Sequence, residues 1–443
     1  MMNENRVKPE NQRYPAGKTF AWGMQHVLTM YGGIIAPPLI IGSAAGLSAA
    51  DIGLLITAAL FVSGAATLLQ SLGLPGLGAR LPLVQGVSFA SVSTLVGIAA
   101  GPGGLPVVAG AIIGASLFGL LIAPFFAHVI RFFPPLVTGT VITAIGLSLM
   151  PVAARWAMGG NPKAADWGAP ENIGLAALTL ATVLLLSKVG GGGIKRLAVL
   201  LAMAFGTLLA AMTGKANFSG VMTGDLFALP GVLHFGLPQF DAAAILSMML
   251  IVLVLLTETT AGLVAIGEII GTPVDEQRIA RGLRADMLTS ALSPLFNSFP
   301  QSAFAQNIGL VAMTGIKSRF VVAAGGAILI LLGLLPVLGR VIAAIPMPVL
   351  GGAGVVLFGT VAASGIRTLA KVDYKDNMNL VIVATALAFG IIPVVMPGFY
   401  DRFPGWVQTL FHSGISAACL VSVTLNALFN PLPKREAAVD RGT

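Results

Sequence analysis

From Ala242 to Leu256 the chain reads AAAILSMMLIVLVLL, broken only by Ser247, and it stays apolar to about residue 271 around Glu258. About 20 apolar residues is what one crossing of a bilayer requires. Inside lipid every backbone N–H and C=O must find a partner within the protein, which restricts such a chain to packed helices or a closed barrel. This run is not alone. Of the 443 residues 56% are hydrophobic and 9% charged, where a soluble domain carries roughly 25% charged. The chain reads as an all-α polytopic membrane protein.

Fourteen segments have this character. The first seven lie near 20–41, 52–71, 82–100, 106–130, 134–154, 172–187 and 195–213. The second seven lie near 242–271, 279–297, 303–316, 319–339, 345–365, 378–395 and 408–430. They divide the chain into a tail (1–19), a first seven-span unit (20–213), an external connection (214–241), a second seven-span unit (242–430) and a second tail (431–443). With both tails inside, 20 of the 25 Lys and Arg residues fall on the cytoplasmic side, the bias expected of inserted helices. The first segment has no small-residue cleavage site close behind it and reads as a retained span. The net charge of +8 does not indicate nucleic acid, because the basic residues sit in short connections between spans. A lone cysteine, Cys419, excludes an intrachain disulfide and gives no basis for a cysteine metal site.

Two short internal likenesses join segments seven apart. PPLVTGTVITAIG (134–146) resembles PMPVLGGAGVVLFG (346–359), and LPLVQGVSFASV (81–92) is weakly like FPQSAFAQNIGLV (299–311). A repeat with an odd number of spans inserts its second copy upside down, the plan of many secondary transporters, whose substrates sit at discontinuous helices near the midplane.

Ionisable groups within spans are costly and mark candidate sites. Glu258, in LLTETTAGLVAIG, is the clearest, and either packs helices through neighbouring hydroxyls or accepts hydrogen bonds from a substrate. Asp286 serves either the site or an interfacial pair with Arg281 or Arg284, and His26 either the site or helix packing. Segments three and ten are poor helices. SPLFNSFPQSAFAQN carries Pro294 and Pro300 among polar side chains, and RLPLVQGVSFASVS carries Pro82, Gln85, Gly86, Ser88 and Phe89. Irregular backbone at membrane depth survives only where protein buries it or it lines a cavity. If the two breaks face each other, their backbone groups, the Gln306 amide and the Phe89 ring share a pocket that Glu258 closes. A carboxylate, a primary amide and an aromatic face suit a flat, neutral ring with imide groups. No phosphate-binding loop, metal-ligand spacing or nucleophile–base pair points to ATP coupling or an enzyme.

QNIGLVAMTG (306–315) resembles the signature of the nucleobase-ascorbate transporters, Gln/Glu-Asn-x-Gly followed by Thr. GMQHVLTMYGGIIAPPLIIG in the first segment, LPLVQGVSFA in the third and TETTAG in the eighth extend the likeness over nearly the whole chain. The resemblance implies fourteen spans in two inverted sevens, with short β-strands interrupting spans 3 and 10. It divides them into a core domain (spans 1–4 and 8–11) and a gate domain (spans 5–7 and 12–14). It also implies homodimers, a bacterial inner-membrane location, and uptake of a small nucleobase coupled to H+ with no other cofactor. Carried over by position, Glu258 and Gln306 match the principal substrate ligands, and Phe89 the stacking aromatic, with Ser88 and Ala305 contributing backbone groups. His26, Asp286 and Asn307 match positions tied to affinity, coupling or site integrity. Gln-Asn here resembles xanthine and uric acid members, whereas uracil-type members tend to have Glu at the position of Gln306. Gly262 departs from the aspartate of many xanthine members, and Ser88 from the asparagine of some. The expectation is therefore proton-coupled uptake of xanthine, uric acid or both. The rivals are a symporter of uracil or another nucleobase in the same family and an anion exchanger on the same architecture, the latter weakened because a buried Glu258 repels an anion. A channel would need a continuous polar pathway, which the spans do not show.

Overall fold

The structure of the protein, a computed structural model, describes residues 8–126, 132–191, 194–195, 197–222, 225–375, 377–404, 407–408, 411 and 413–430. The second tail and parts of the fourth and fourteenth segments lie outside the described residues. Helices α1 (Ala16–Ala44) and α2 (Ala49–Leu72) precede strand β1 (Gln85–Val87) and the short α3 (Phe89–Ala99). Next come α4 (Gly104–Ile122), α5 (Pro135–Ala157), α6 (Pro170–Val189) and α7 (Ala198–Met212). The second half repeats the opening order of helix, helix, strand, short helix. It comprises α8 (Ala242–Ile270), α9 (Glu276–Leu292), β2 (Gln301–Ala303), α10 (Ala305–Thr314), α11 (Arg319–Gly333) and α12 (Pro336–Ala343), then α13 (Met347–Leu369), α14 (Asn377–Val395) and α15 (Gly414–Phe429).

Among the described residues eight helices are long and apolar enough to cross a membrane, and α11 with α12 makes a ninth that bends by 78°. The eleventh segment was expected as one helix over 319–339. It breaks because Pro336 brings no N–H and opens a new helix as its first residue, after Leu335. The ninth begins earlier than expected, at Asp275, whose carboxylate caps the helix by accepting from the Arg278 N–H at 2.7 Å. Segments three and ten are part strand and part short helix; their prolines and polar side chains marked them as poor helices, and the strands are those the resemblance implied.

Helix contacts fall into two sets. α1 packs on α2 and α11, α2 on α11 and α12, and α4 on α8 and α9; separately, α5 packs on α13, α14 and α15, and α6 on α7 and α13. Small residues allow the closest approaches, as they must where lipid offers no hydrophobic drive between helices. A Cβ on Gly146 of α5 would stand 2.3 Å from the Ala362 nitrogen of α13, and one on Gly64 of α2 would stand 2.5 Å from the Gly326 carbonyl of α11.

A short segment ahead of α1 is buttoned across several helix ends. The buried Glu10 accepts from Thr272 at 2.7 Å and from Arg278 at 3.1 Å, and Arg278 also reaches the carbonyls of Ala79 and Arg80. Ser318 donates to the Gln12 carbonyl, while Arg319 binds Asn11 and the carbonyls of Ser71 and Leu72. Burial pushes the Glu10 carboxyl up, but its hydrogen bonds from Thr272 and Arg278 outweigh this and hold it below the usual carboxylate range. A carboxyl lowered on folding stabilises the protein above its unfolded pKa, and that contribution is lost as pH falls through the folded value. Glu10→Gln is therefore expected to melt below the parent at neutral pH, with the gap closing under acid. Melting curves of both in detergent across pH check this, and a pH-independent gap contradicts it.

Candidate functional site

The third and tenth segments meet. β1 and β2 pair antiparallel, with Gln85 opposite Ala303, Gly86 opposite Ser302 and Val87 opposite Gln301. Bonds from Ser88 N–H to the Pro300 carbonyl (2.9 Å) and from Phe304 N–H to the Val84 carbonyl (3.0 Å) extend the pair at both ends. Each strand is only three residues long and neither could lie in an apolar interior unpaired. Their outer edges are covered by hydroxyls from neighbouring helices. Thr67 of α2 both accepts from the Gln85 N–H (3.0 Å) and donates to its carbonyl (3.2 Å). Ser290 of α9 accepts from the Gln301 N–H (2.9 Å), and Thr259 of α8 accepts from the Ala303 N–H (3.3 Å). Phe304 lies against the pair, and a Cβ on Gly86 would stand 2.3 Å from its ring, so only glycine fits there.

Because the strands run antiparallel, α3 and α10 leave the pair in opposite directions, each starting beside it. Ser88 caps α3, its hydroxyl accepting from the Ala90 N–H at 3.1 Å. No side chain caps α10. Among the described residues the N–H groups of Ala305 and Gln306 have no acceptor, and both residues are exposed between buried Phe304 and Asn307. A helix start of this kind presents donors and a partial positive charge. Glu258 is half-buried on α8, which packs on β2, α3 and α10, and among the described residues no hydrogen bond reaches its carboxyl. Phe89, half-buried at the start of α3, meets Phe358 of α13 edge-on at 6.2 Å, and Gly33 of α1 lies beside it. Pro37 and Pro38 inside α1 deprive the carbonyls of Gly33 and Ile34 of their usual donors. The neighbourhood thus offers a partnerless carboxyl, an exposed amide, two free backbone donors and an aromatic face. That set complements a flat heterocycle bearing both N–H and C=O groups.

The other three expected residues are occupied with protein partners. Asp286 is buried and pairs with neither Arg281 nor Arg284; it accepts from Gln70 of α2 at 3.1 Å and from Thr259 at 2.5 Å. Asn307 reaches α1, its Nδ2 lying 3.0 Å from His26 Nδ1 and 3.1 Å from the His26 carbonyl. That carbonyl can only accept, so the NH2 end must face it, His26 Nδ1 accepts as well, and the ring proton sits on Nε2. Sequence reasoning passed over Thr67, Gln70, Thr259, Ser290 and Phe304. Most threonines and serines in these helices donate to a carbonyl one turn back, so nothing in a span marks the few that do not. Asn307→Asp puts an acceptor where a donor is needed and is expected to destabilise by about 1–3 kcal/mol. Equal melting of variant and parent would mean that the amide holds α10 to α1 by packing alone.

Residues 17–399 match a family model, Xan_ur_permease, described as a permease family. The uric acid transporter UacT of Escherichia coli is 42% identical over 94% of this chain and 86% of its own. The uric acid permease PucJ and the xanthine permease of Bacillus subtilis are 37% and 38% identical over 95% and 94% of this chain, and over 94% and 95% of their own. Among solved structures, the transmembrane domain of the cyanobacterial bicarbonate transporter BicA has a TM-score of 0.60 at 14% identity, covering 94% of this chain and 99% of its own. The inward-facing murine anion transporter Slc26a9 has a TM-score of 0.61 at 13% identity, covering 97% of this chain and 69% of its own. Those two likenesses concern the fold alone. The chain belongs to this permease family, the nucleobase-ascorbate transporters, and is a multi-pass membrane transporter, not an enzyme.

Proposed function

We propose that the protein takes up purine nucleobases, xanthine, uric acid or both, by proton symport across the bacterial inner membrane with its tails cytoplasmic. The observation that carries this is the uncapped start of α10, with the free N–H groups of Ala305 and Gln306 and the exposed Gln306 amide, on a helix that packs against α8, the helix of Glu258, whose carboxyl has no hydrogen bond among the described residues. An oxidised purine brings ring N–H groups for a carboxylate to accept and carbonyls for the amide and backbone N–H groups to bind. Phe89 stacks on its face, and Ser88 holds the start of α3 in place. Relatives named as uric acid and xanthine permeases support the same cargo. Asp286 and Glu258 are the carboxyls that take part in proton coupling, while His26 and Asn307 keep α10 registered on α1.

The two packing sets supply the moving parts. α1–α4 with α8–α12 form the core that carries the site, and α5–α7 with α13–α15 form the gate against which it moves. The working unit is a homodimer. Labelled xanthine or urate uptake into cells is expected to collapse with a protonophore, and to fall by at least about 10-fold in Glu258→Gln, the size of effect that follows losing one charge-assisted hydrogen bond. Full uptake under both conditions would sink the reading. Gln306→Glu removes an amide donor and adds a charge, and is expected to reorder competition among xanthine, urate, uracil, hypoxanthine and guanine. An unchanged order of competitors would remove Gln306 from the ligands.

A further inference from the structure

Thr259 stands apart from its neighbours on α8. Thr257 and Thr260 both turn their hydroxyls back to carbonyls one turn earlier, Leu253 at 2.8 Å and Leu256 at 2.7 Å. The buried Thr259 instead gives its hydrogen to Asp286 Oδ2 at 2.5 Å and receives the Ala303 N–H at 3.3 Å. The other carboxyl oxygen is fixed too. The Ala79 N–H donates to Gln70 Oε1 at 3.0 Å, which leaves the Gln70 NH2 to face Asp286 Oδ1 at 3.1 Å. Asp286 therefore sits between two donors, an arrangement built for a carboxylate. One hydroxyl links it to the last residue of β2, three positions before Gln306, and that hydroxyl belongs to the residue after Glu258.

We propose that Thr259 is the positioning residue that transmits the protonation state of Asp286 to the substrate-binding end of β2 and α10. The proposal rests on the reading of proton-coupled purine uptake. With Asp286 ionised, the Thr259 hydrogen points to Oδ2 and the polarised hydroxyl oxygen holds the Ala303 N–H. When a proton from solution adds to Oδ2, that oxygen becomes a donor, and the Thr259 hydrogen turns to the carbonyl one turn back, as those of Thr257 and Thr260 already do. The Thr259 oxygen then accepts from two donors, and its longer contact, to Ala303, loosens. No covalent bond other than the new O–H is made or broken. The start of α10, with Gln306, is freed relative to α8, with Glu258.

Other charged groups leave this exchange undisturbed. The elements packed on α9 bring Asp51 of α2, which pairs with His234, and Glu258 and Glu268 of α8; α4, β2 and the 3-10 turns Ala123–Phe125 and Ser293–Phe296 bring none, and Glu10 is engaged with Arg278. None of these, nor Glu276, Arg278, Arg281 or Arg284 of α9 itself, makes an ion pair with Asp286 among the described residues.

The test is urate uptake into proteoliposomes over a range of external pH, separating KM from maximal rate, with urate binding by the purified protein measured alongside. Thr259→Ser is expected to keep the parent's pH profile. Thr259→Val is expected to lose about 10-fold in maximal rate and to flatten the profile while binding stays within about 3-fold, a coupling lost with the site intact. Asp286→Asn, fixed in the protonated pattern, should make Thr259→Val silent when the two are combined. A parent-like pH profile in Thr259→Val, or equal damage from Thr259→Ser, overturns the proposal. Hydrogen exchange at the Ala303 amide of the parent protein, normalised for intrinsic pH effects, is an independent arm that needs no variant. Faster exchange in acid supports the relay and constant protection refutes it. A parent protein that transports no purine overturns the functional reading instead, and the Ala303 amide still judges the relay.

Discussion

Two strands of three residues each, more than two hundred positions apart, must pair or neither can exist. Water competes for no backbone group in the interior of a membrane protein, so an interrupted helix leaves N–H and C=O groups whose loss costs several kcal/mol each. β1 and β2 resolve this by satisfying one another on their inner edges. Thr67, Ser290 and Thr259 satisfy the outer ones from three different helices. Much else follows from that pairing. It fixes where α3 and α10 begin, it requires glycine at Gly86 beneath Phe304, and it explains why apolar helices spend hydroxyls on the interior. The polar cost is met along the strand edges, whereas among the described residues the first N–H groups of α10 have no acceptor.

The helices around this crossing gain little from hydrophobic burial among themselves, since lipid tails are equally apolar. Their order comes from close approach. Gly64 on Gly326 joins α2 to α11, and Gly146 on Ala362 joins α5 to α13, in each case backbone against backbone. Contacts of that kind exist in one geometry or not at all, which fixes how α2 sits on α11 and α5 on α13. The buttoned segment at Glu10 adds polar ties from Thr272, just past α8, and from α9 and α11 at one end of the set that bears the crossing. On the proposed function, a carrier built this way shifts a site without distorting it.

Much of this was legible in the sequence because bilayer thickness imposes a length on apolar runs and insertion imposes a charge bias on their connections. The two interruptions were legible too, since Pro82, Pro294 and Pro300 with their polar neighbours suit neither lipid nor helix. Less visible was anything depending on which of several like groups faces which neighbour. Asp286 read equally well as a site residue or as an interfacial partner of Arg281 or Arg284, because all three lie in the first part of one segment, and only the fold brings Gln70 and Thr259 to it. The break at Pro336 was missed because Leu334 and Leu335 keep the apolar run continuous through it. Composition reports solvent, and the solvent is the same on both sides of a bend.

Sharing a fold with transporters of anions at 13–14% identity separates what the scaffold supplies from what the side chains choose. Backbone donors at the start of α10 come with the interrupted helix and favour electron-rich atoms of any cargo. Alone they would suit an anion. Glu258 changes the demand, because a carboxyl with no protein partner is stabilised only by a ligand that arrives with N–H groups of its own. Gln306 then asks for a donor and an acceptor side by side, and Phe89 for a flat face. Few small molecules meet all of these conditions together. On the proposed function, the fold provides the donors, and Glu258, Gln306 and Phe89 narrow what they can hold to an imide-bearing ring.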